Sequence, residues 1–223
     1  MPTPELGRLI HRFSAIQRLI HWAVGISFTL LLLTGLAFSY PSLFWLTNLL
    51  GGGPMARVAH PWVGLIFSVS MAATFLMWVR DMTLAAIDWR WLRAIHSYAR
   101  HQTADIPPAG KYNGGQKLFF WAQTVLGVIF LISGLALWFP ETVATVVPNA
   151  SLLLASMRLV HYAATLAGGL LLTLHVYLGI FAFPGTAQGM IDGKVTSAWA
   201  NLHHPAWQPN KHPTHTPENA DRR

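Results

Sequence analysis

Four long blocks of apolar, almost uncharged residues dominate the chain, and they cover about residues 19–40, 61–79, 118–139 and 152–183. A helix that crosses a bilayer needs about 20 apolar residues, so each block predicts one membrane span. The pattern therefore predicts an all-α integral membrane protein, with a four-helix transmembrane bundle over residues 1–209. Residues 210–223 are rich in Pro, His, Thr and charge, which predicts a disordered tail on the cytoplasmic side.

The basic residues lie mostly outside these blocks. Of the 15 Lys and Arg residues, 13 fall in the N-terminal segment, the connection between the second and third blocks, and the C-terminal segment. Only Arg57 and Arg158 lie on the other side of a four-span topology. Because cytoplasmic segments carry the excess of Lys and Arg, both termini are predicted to be cytoplasmic. The net charge of +7 thus reflects membrane orientation and does not indicate nucleic-acid binding.

The composition narrows the chemistry that the chain can perform. There are no cysteines, which excludes disulfides, zinc–thiolate sites, iron–sulfur clusters and covalently attached haem. Only 10% of the residues are charged and the mean hydropathy is +0.40, as expected for a membrane protein. The chain nevertheless has 11 His against 8 Asp plus Glu. Any bound metal is therefore held by His, Met or carboxylates.

Four histidines lie in or at the edge of the predicted spans: His21, His60, His161 and His175. Ionisable residues within spans are rare and usually functional, although a single His near a span end can also bond to a neighbour or reach the interface. In the predicted topology, His21 and His175 share the inner level, whereas His60 and His161 share the outer level. The sequence therefore predicts two pairs of histidines, one above the other.

The two histidines of the last span also share a helix face. His161 and His175 are 14 residues apart, so they differ by about 40° around the helix and by about 21 Å along it. One helix thus offers a ligand at each level, with room for two porphyrins. Two axial histidines on each iron suit electron transfer rather than oxygen binding. A zinc or copper site would instead need its ligands at one depth.

Several short motifs accompany this layout. They are Arg18-Leu-Ile-His-Trp22, His60-Pro61, Gly110-Lys-Tyr-Asn-Gly-Gly-Gln-Lys117, the His161 and His175 pair, and Gly189-Met-Ile-Asp-Gly-Lys194 followed by His203-His204-Pro205. In these motifs, and up to about Pro209, the chain resembles the cytochrome b (gamma) subunit of membrane-bound respiratory formate dehydrogenases. Hydrogenase and thiosulfate reductase cytochromes share the four-histidine layout. The alternative is therefore a b-type cytochrome subunit of a hydrogenase or of another membrane-anchored oxidoreductase.

The resemblance implies two b-type haems and assigns their ligands. His21 and His175 would hold the iron of the inner haem, and His60 and His161 would hold the iron of the outer haem. This assignment agrees with the pairing that the depth of the histidines predicts.

The resemblance also implies a quinone site near the inner haem. Asn113, Gly115 and Gln116 would form it, just before the third span. Amide side chains and a glycine backbone can hydrogen-bond quinone oxygens. The residues alone, without the resemblance, favour a plain turn over Asn113-Gly114-Gly115.

The partners follow from the same resemblance. A molybdenum or tungsten alpha subunit would oxidise formate outside, and an iron–sulfur beta subunit would pass the electrons to the outer haem. This chain would then reduce a membrane quinone, menaquinone or ubiquinone, at the cytoplasmic side of the bacterial inner membrane. The protons would come from that same side.

Overall fold

The computed structural model describes residues 8–100, 102 and 106–207. The tail predicted for residues 210–223 lies outside the described residues. In chain order, the elements are β1 (Leu9–His11), α1 (Ala15–Ser39), a 3-10 helix (Pro41–Leu50), α2 (Gly53–Trp78), α3 (Ala86–Arg93), α4 (Ile95–Ala99), α5 (Gly114–Trp138), α6 (Pro140–Val146), α7 (Ala150–Val176), a π-helix (Tyr177–Ala182), α8 (Gln188–Ile191), β2 (Lys194–Thr196) and α9 (Ser197–His203).

The long helices α1, α2, α5 and α7 form a four-helix bundle. Helix α1 packs against α2, α2 against α5, α5 against α7, and α7 against α1. Each of these helices is long and apolar enough to cross a membrane, and the last candidate span combines α7 with the π-helix that follows it. Many large apolar side chains on the bundle surface are exposed, Leu76 and Leu170 among them, as expected for helices that face lipid. The predicted class, an all-α multi-pass membrane protein, is confirmed.

The helix that contains the second predicted span begins before that span. Helix α2 starts at Gly53 and runs through Pro61, so the helix extends about two turns beyond the N-terminal end of the predicted span. Pro54 occupies the first turn, where the missing N–H of proline costs nothing. Pro61 removes one backbone hydrogen bond but leaves the helix continuous. His60 consequently lies inside α2, about two turns from its first residue.

A short antiparallel ribbon joins the two ends of the described chain. Strand β1 pairs with β2, with Ile10 opposite Val195. The backbone N–H of Arg12 also donates to the carbonyl of Gly193, at 2.8 Å. Strand β1 precedes α1 and β2 follows the last span. The ribbon therefore holds the segment before the first span and the segment after the last span together, at the same end of the bundle.

Three segments meet beside this ribbon. The Arg12 guanidinium is buried and donates through Nη2 to the carbonyl of Lys111, at 2.7 Å, in the connection before α5. The same Nη2 lies 3.3 Å from Nε2 of His204, which follows α9. The N-terminal segment, the connection and the C-terminal segment, which carry most of the basic residues, are therefore packed together.

Candidate functional site

The four histidines of the spans form two close pairs. The rings of His21 on α1 and His175 on α7 have centres 6.0 Å apart. The rings of His60 on α2 and His161 on α7 have centres 6.5 Å apart. Helix α7 thus contributes one member to each pair, and the partners come from two different helices. These are the two pairs predicted from depth along the spans.

The ring spacing fits a single metal ion between the two imidazoles of each pair. A zinc–imidazole bond measures about 2.0–2.1 Å and the ring centre lies roughly 1 Å behind its nitrogen, so two imidazoles on opposite sides of one ion have centres about 6 Å apart. The iron–imidazole geometry of a bis-histidine haem requires a similar separation. The spacing of the imidazoles is therefore compatible with one iron held between two histidines at each of two levels.

Hydroxyl groups hold both rings of the His60–His161 pair. Thr34 Oγ1 on α1 lies 2.7 Å from Nδ1 of His60. Ser133 Oγ on α5 lies 2.8 Å from Nδ1 of His161. Both hydroxyl residues are about 1% exposed, so water does not compete for these bonds. Each ring is fixed through Nδ1, which leaves Nε2 for the side of the ring away from the hydroxyl.

The surroundings of the His21–His175 pair differ. Among the described residues, Nδ1 of His21 is buried and has no hydrogen-bond partner. The indole of Trp22 meets the His21 ring edge-on, and the ring of Phe119 stacks on His175 with centres 4.7 Å apart. The environment of this pair is therefore mainly aromatic.

Three phenylalanines fill the bundle between the two levels. Phe28, Phe67 and Phe130 pack on one another with ring centres between 5.6 and 6.3 Å apart, and Phe130 also meets His161 edge-on. A Cβ atom on Gly168, midway between His161 and His175, would lie 2.7 Å from Cζ of Phe28. Gly168 therefore serves close packing of α7 against this phenylalanine cluster.

The predicted quinone residues surround the start of α5. Asn113 is the N-cap: its Oδ1 accepts from the backbone N–H of Gln116, and Gln116 Oε1 accepts from the N–H of Asn113. This reciprocal pair is a capping box. A Cβ on Gly115 would lie 3.1 Å from the Trp91 ring of α3. The side-chain oxygens of Asn113 and Gln116 thus cap the helix, while their amide NH2 groups are not used by the cap.

A cavity of about 350 Å³ adjoins this helix start. Asn113 lines it, and so do four charged side chains, which are Asp81, Asp88, Lys111 and Lys117. Lys117 Nζ contacts Asp88 Oδ2 at 2.8 Å and donates to the carbonyl of Thr83 at 3.0 Å. The cavity therefore places the Asn113 amide beside titratable groups at the end of the bundle that carries the His21–His175 pair, whereas Gly115 and Gln116 do not line it.

Sequence reasoning missed the polar partners of these sites. Thr34 and Ser133 are hydroxyl residues within apolar spans, at the level of His60 and His161. That position is the signal that could have found them. His204, which the sequence analysis names only as part of a motif, is 1% exposed, and burial lowers its pKa to about 3. Burial likewise lowers the pKa of Arg12 to about 10.

Residues 12–193 match the sequence model of the prokaryotic cytochrome b561 family. The chain belongs to this family. Proteins of the prokaryotic cytochrome b561 family are helical bundles that bind haem b, which agrees with the four-helix bundle and the paired histidines described above.

Three individual proteins that are similar to this chain are cytochrome b556 subunits of formate dehydrogenases. The chain is 32% identical over 199 residues to the cytochrome b556(fdo) subunit of formate dehydrogenase from Escherichia coli K12, covering 89% of this chain and 91% of that protein. It is 33% identical over 207 residues to the cytochrome b556(Fdn) subunit of the nitrate-inducible formate dehydrogenase of the same organism, covering 90% and 91%. It is also 33% identical over 201 residues to the formate dehydrogenase cytochrome b556 subunit of Haemophilus influenzae, covering 88% and 80%. These likenesses confirm the family resemblance drawn from the motifs.

Proposed function

We propose that this protein is the dihaem cytochrome b subunit of a formate dehydrogenase. It transfers electrons from an iron–sulfur subunit, through two haems b, to a membrane quinone at the cytoplasmic side. The observation that carries this proposal is the presence of two histidine pairs, with ring centres 6.0 and 6.5 Å apart, in a helical bundle of the prokaryotic cytochrome b561 family.

In this proposal, His21 and His175 hold the iron of the inner haem, and His60 and His161 hold that of the outer haem. Haem b, when bound, supplies one-electron redox chemistry. With two histidines on each iron, no position would be left open for oxygen, which would favour electron transfer over oxygen binding. The phenylalanine cluster of Phe28, Phe67 and Phe130 keeps the space between the two levels apolar and excludes water from it.

Quinone would bind beside the start of α5. The amide NH2 groups of Asn113 and Gln116, together with the backbone at Gly115, can donate hydrogen bonds to quinone oxygens. Reduction of a quinone to a quinol takes up two electrons and two protons. The cavity lined by Asp81, Asp88, Lys111 and Lys117 offers titratable groups for the protons. Menaquinone and ubiquinone both carry the two oxygens that this site requires.

The orientation and the partners complete the proposal. The basic segments packed around Arg12, Lys111 and β2 support a cytoplasmic location for this end of the bundle, and so for both termini. The membrane is the bacterial inner membrane. The chain has no cysteines to hold an iron–sulfur cluster, which supports an iron–sulfur beta subunit as its electron donor. A molybdenum or tungsten alpha subunit would oxidise formate in the same complex. The names of the relatives support formate as the substrate of that alpha subunit.

The haem assignment is tested by removing one ligand at a time. We expect His60→Ala and His161→Ala each to remove one haem per chain, and His21→Ala and His175→Ala to remove the other. The measurement is haem content per chain in the purified complex, with the visible spectrum of the reduced protein. His96→Ala, an exposed histidine on α4, is the matched control and should retain both haems. Two haems per chain in His60→Ala would refute the assignment.

The quinone site requires variants that separate hydrogen bonding to quinone from helix capping. Asn113→Leu removes both the cap and the amide donor, and loss of an N-cap alone costs about 0.5–2 kcal/mol of stability. Asn113→Asp and Gln116→Glu keep the capping oxygens but replace the NH2 donors. We expect both conservative variants to lower quinone reduction about tenfold or more, which is about 1.4 kcal/mol, with both haems still bound and reducible.

The control for these variants is the other capping box of the bundle. Ser14 and Gln17 form the same reciprocal bonds at the start of α1. Gln17→Glu should therefore leave quinone reduction unchanged. Normal turnover in Asn113→Asp and Gln116→Glu, together with reduced stability in Asn113→Leu, would show that this segment only caps the helix. Co-purification of a hydrogenase or another dehydrogenase instead of formate dehydrogenase subunits would favour the alternative cytochrome class.

A further inference from the structure

We propose that Thr34 and Ser133 are positioning residues that set the tautomer of His60 and His161 and lower the reduction potential of the outer haem relative to the inner haem. This inference rests on the proposed function, because it assumes that these histidines are haem ligands.

The first step is the direction of the two hydrogen bonds. Thr34 Oγ1 lies 2.8 Å from the carbonyl of Leu30, one turn earlier in α1, and donates its single hydroxyl proton there. With that proton on a backbone carbonyl, of Leu30 or of Leu31 at 3.2 Å, Oγ1 is left to accept from Nδ1–H of His60 across 2.7 Å. The network thus assigns the Nδ1-protonated tautomer to His60, which leaves the lone pair on Nε2.

The second ring of the pair is held in the same way. Ser133 Oγ lies 2.6 Å from the carbonyl of Ile129 and donates its proton to it, so it accepts from Nδ1–H of His161 at 2.8 Å. A Cβ on the neighbouring Gly134 would lie only 3.6 Å from Cε1 of His161. The ring is therefore confined both by its hydrogen bond and by the small residue beside it. Both Nε2 atoms of this pair carry free lone pairs, which is the form that binds a metal.

The third step is the effect on a bound iron. An acceptor that takes a hydrogen bond from the second ring nitrogen makes the imidazole a more basic ligand. A more basic axial ligand stabilises the oxidised iron more than the reduced iron, and hydrogen bonding around the ligands is one way in which proteins set haem potentials. Two such bonds act together at the His60–His161 pair.

The His21–His175 pair does not share this arrangement. Nδ1 of His21 is buried and, within the described part of the chain, has no hydrogen-bond acceptor. His21 thus has no protein acceptor of the kind that Thr34 and Ser133 supply, and the proposal assigns the lower potential to the outer haem. A lower potential at the outer haem would favour one-electron transfer toward the inner haem, and so toward the quinone side, with no bond formed or broken.

The experiment is a redox titration of the visible haem bands in the purified full-length complex. The test variants are Thr34→Val and Ser133→Ala, which remove the acceptors. The conservative variant is Thr34→Ser, which keeps a hydroxyl. Ser27→Ala on α1 and Thr124→Val on α5 are matched controls, because the hydroxyls of Ser27 and Thr124 donate to carbonyls of their own helices and contact no histidine.

We expect Thr34→Val and Ser133→Ala to raise the potential of one haem and leave the other unchanged. A tenfold change in the one-electron equilibrium between the two haems corresponds to 59 mV, and the shift should approach about this size. Thr34→Ser and both controls should keep the original potentials. Loss of one haem in Thr34→Val but not in Thr34→Ser would also support the proposal, since the hydroxyl would then be required to hold its ligand.

Two outcomes would overturn the inference. One is unchanged potentials in Thr34→Val and Ser133→Ala while each variant retains two haems per chain. The other is an equal shift, or equal haem loss, in the controls Ser27→Ala and Thr124→Val. Failure of the proposed function would give a different result. The unmodified complex would contain fewer than two haems per chain, or the His60→Ala variant would retain both haems.

Discussion

The ion pair between Asp88 and Lys117 holds α3 against the first turn of α5. Lys117 Nζ lies 2.8 Å from Asp88 Oδ2, and the two side chains are 14% and 6% exposed. The same Asp88 oxygen accepts from the backbone N–H of Ala85 at the start of α3. A Cβ on Gly114 would lie 2.7 Å from the backbone oxygen of Asp88, so the two helices are in close contact. We predict that this pair is required for the stability of that contact.

The expected contribution of this ion pair to the free energy of unfolding lies between that of an exposed ion pair and that of a fully buried one. Exposed pairs contribute about 0.2–1 kcal/mol, whereas removing one partner of a fully buried pair costs about 3–5 kcal/mol. Because Lys117 keeps partial access to water, we expect Asp88→Ala to lower the free energy of unfolding by about 2 kcal/mol. Lys117→Met should cost less, about 1 kcal/mol, since the Asp88 carboxylate still accepts from Ala85. The double variant should show a coupling energy of about 1 kcal/mol.

The assay is reversible unfolding of the full chain in mixed micelles, followed by far-UV circular dichroism. Four proteins complete the cycle: the unmodified chain, Asp88→Ala, Lys117→Met and the double variant. Arg93→Met, an exposed change on the same helix, is the control and should lie within about 0.5 kcal/mol of the unmodified chain. If the two single effects add to within about 0.3 kcal/mol, the pair does not couple α3 to α5 and the reasoning fails.

Three further predictions concern other parts of the molecule. Burial lowers the pKa of His204 from 6.5 to about 3, so the unfolded chain binds a proton that the folded chain excludes, and stability should fall as pH drops below about 6.5. His204 should contribute at most about 1.4 kcal/mol per pH unit to this slope, and His204→Asn should reduce the slope by that contribution, as measured by unfolding at several pH values. Gly168→Ala should cost about 1–3 kcal/mol because its Cβ would overlap Phe28, and Phe28→Leu in the same chain should recover part of that loss in unfolding experiments. A reporter fused to the C-terminus should be active only in the cytoplasm, and activity outside would refute the orientation.

The arrangement of the spans could be predicted from the sequence because a helix that crosses a membrane must be long and apolar. Long apolar blocks must be helices, and their number fixes which histidines share a depth. The spacing of His161 and His175 along one helix then determines the pairing. This level of description needs only the rise and turn of a helix and the position of each residue within its span.

Local features could not be predicted, because they depend on contacts between distant residues. The apolar pattern begins after Pro61, but α2 begins at Gly53, since neither proline nor polar character prevents a helix from extending beyond the membrane. The hydroxyls of Thr34 and Ser133 face histidines on other helices, which only the packed bundle shows. The burial of Arg12 and His204 likewise requires two segments separated by nearly the whole chain to meet.

The ribbon of β1 and β2 has a consequence for how the protein is made. Ile10 pairs with Val195, which leaves the ribosome 185 residues later. At about 5–20 residues per second, the first strand waits roughly 10–40 s for its partner. All four spans must be inserted during that interval, while Arg12 has neither Lys111 nor His204 to contact. Pairing of the strands therefore marks the completion of insertion, and nascent chains that stall before β2 should expose this end of the bundle to proteases.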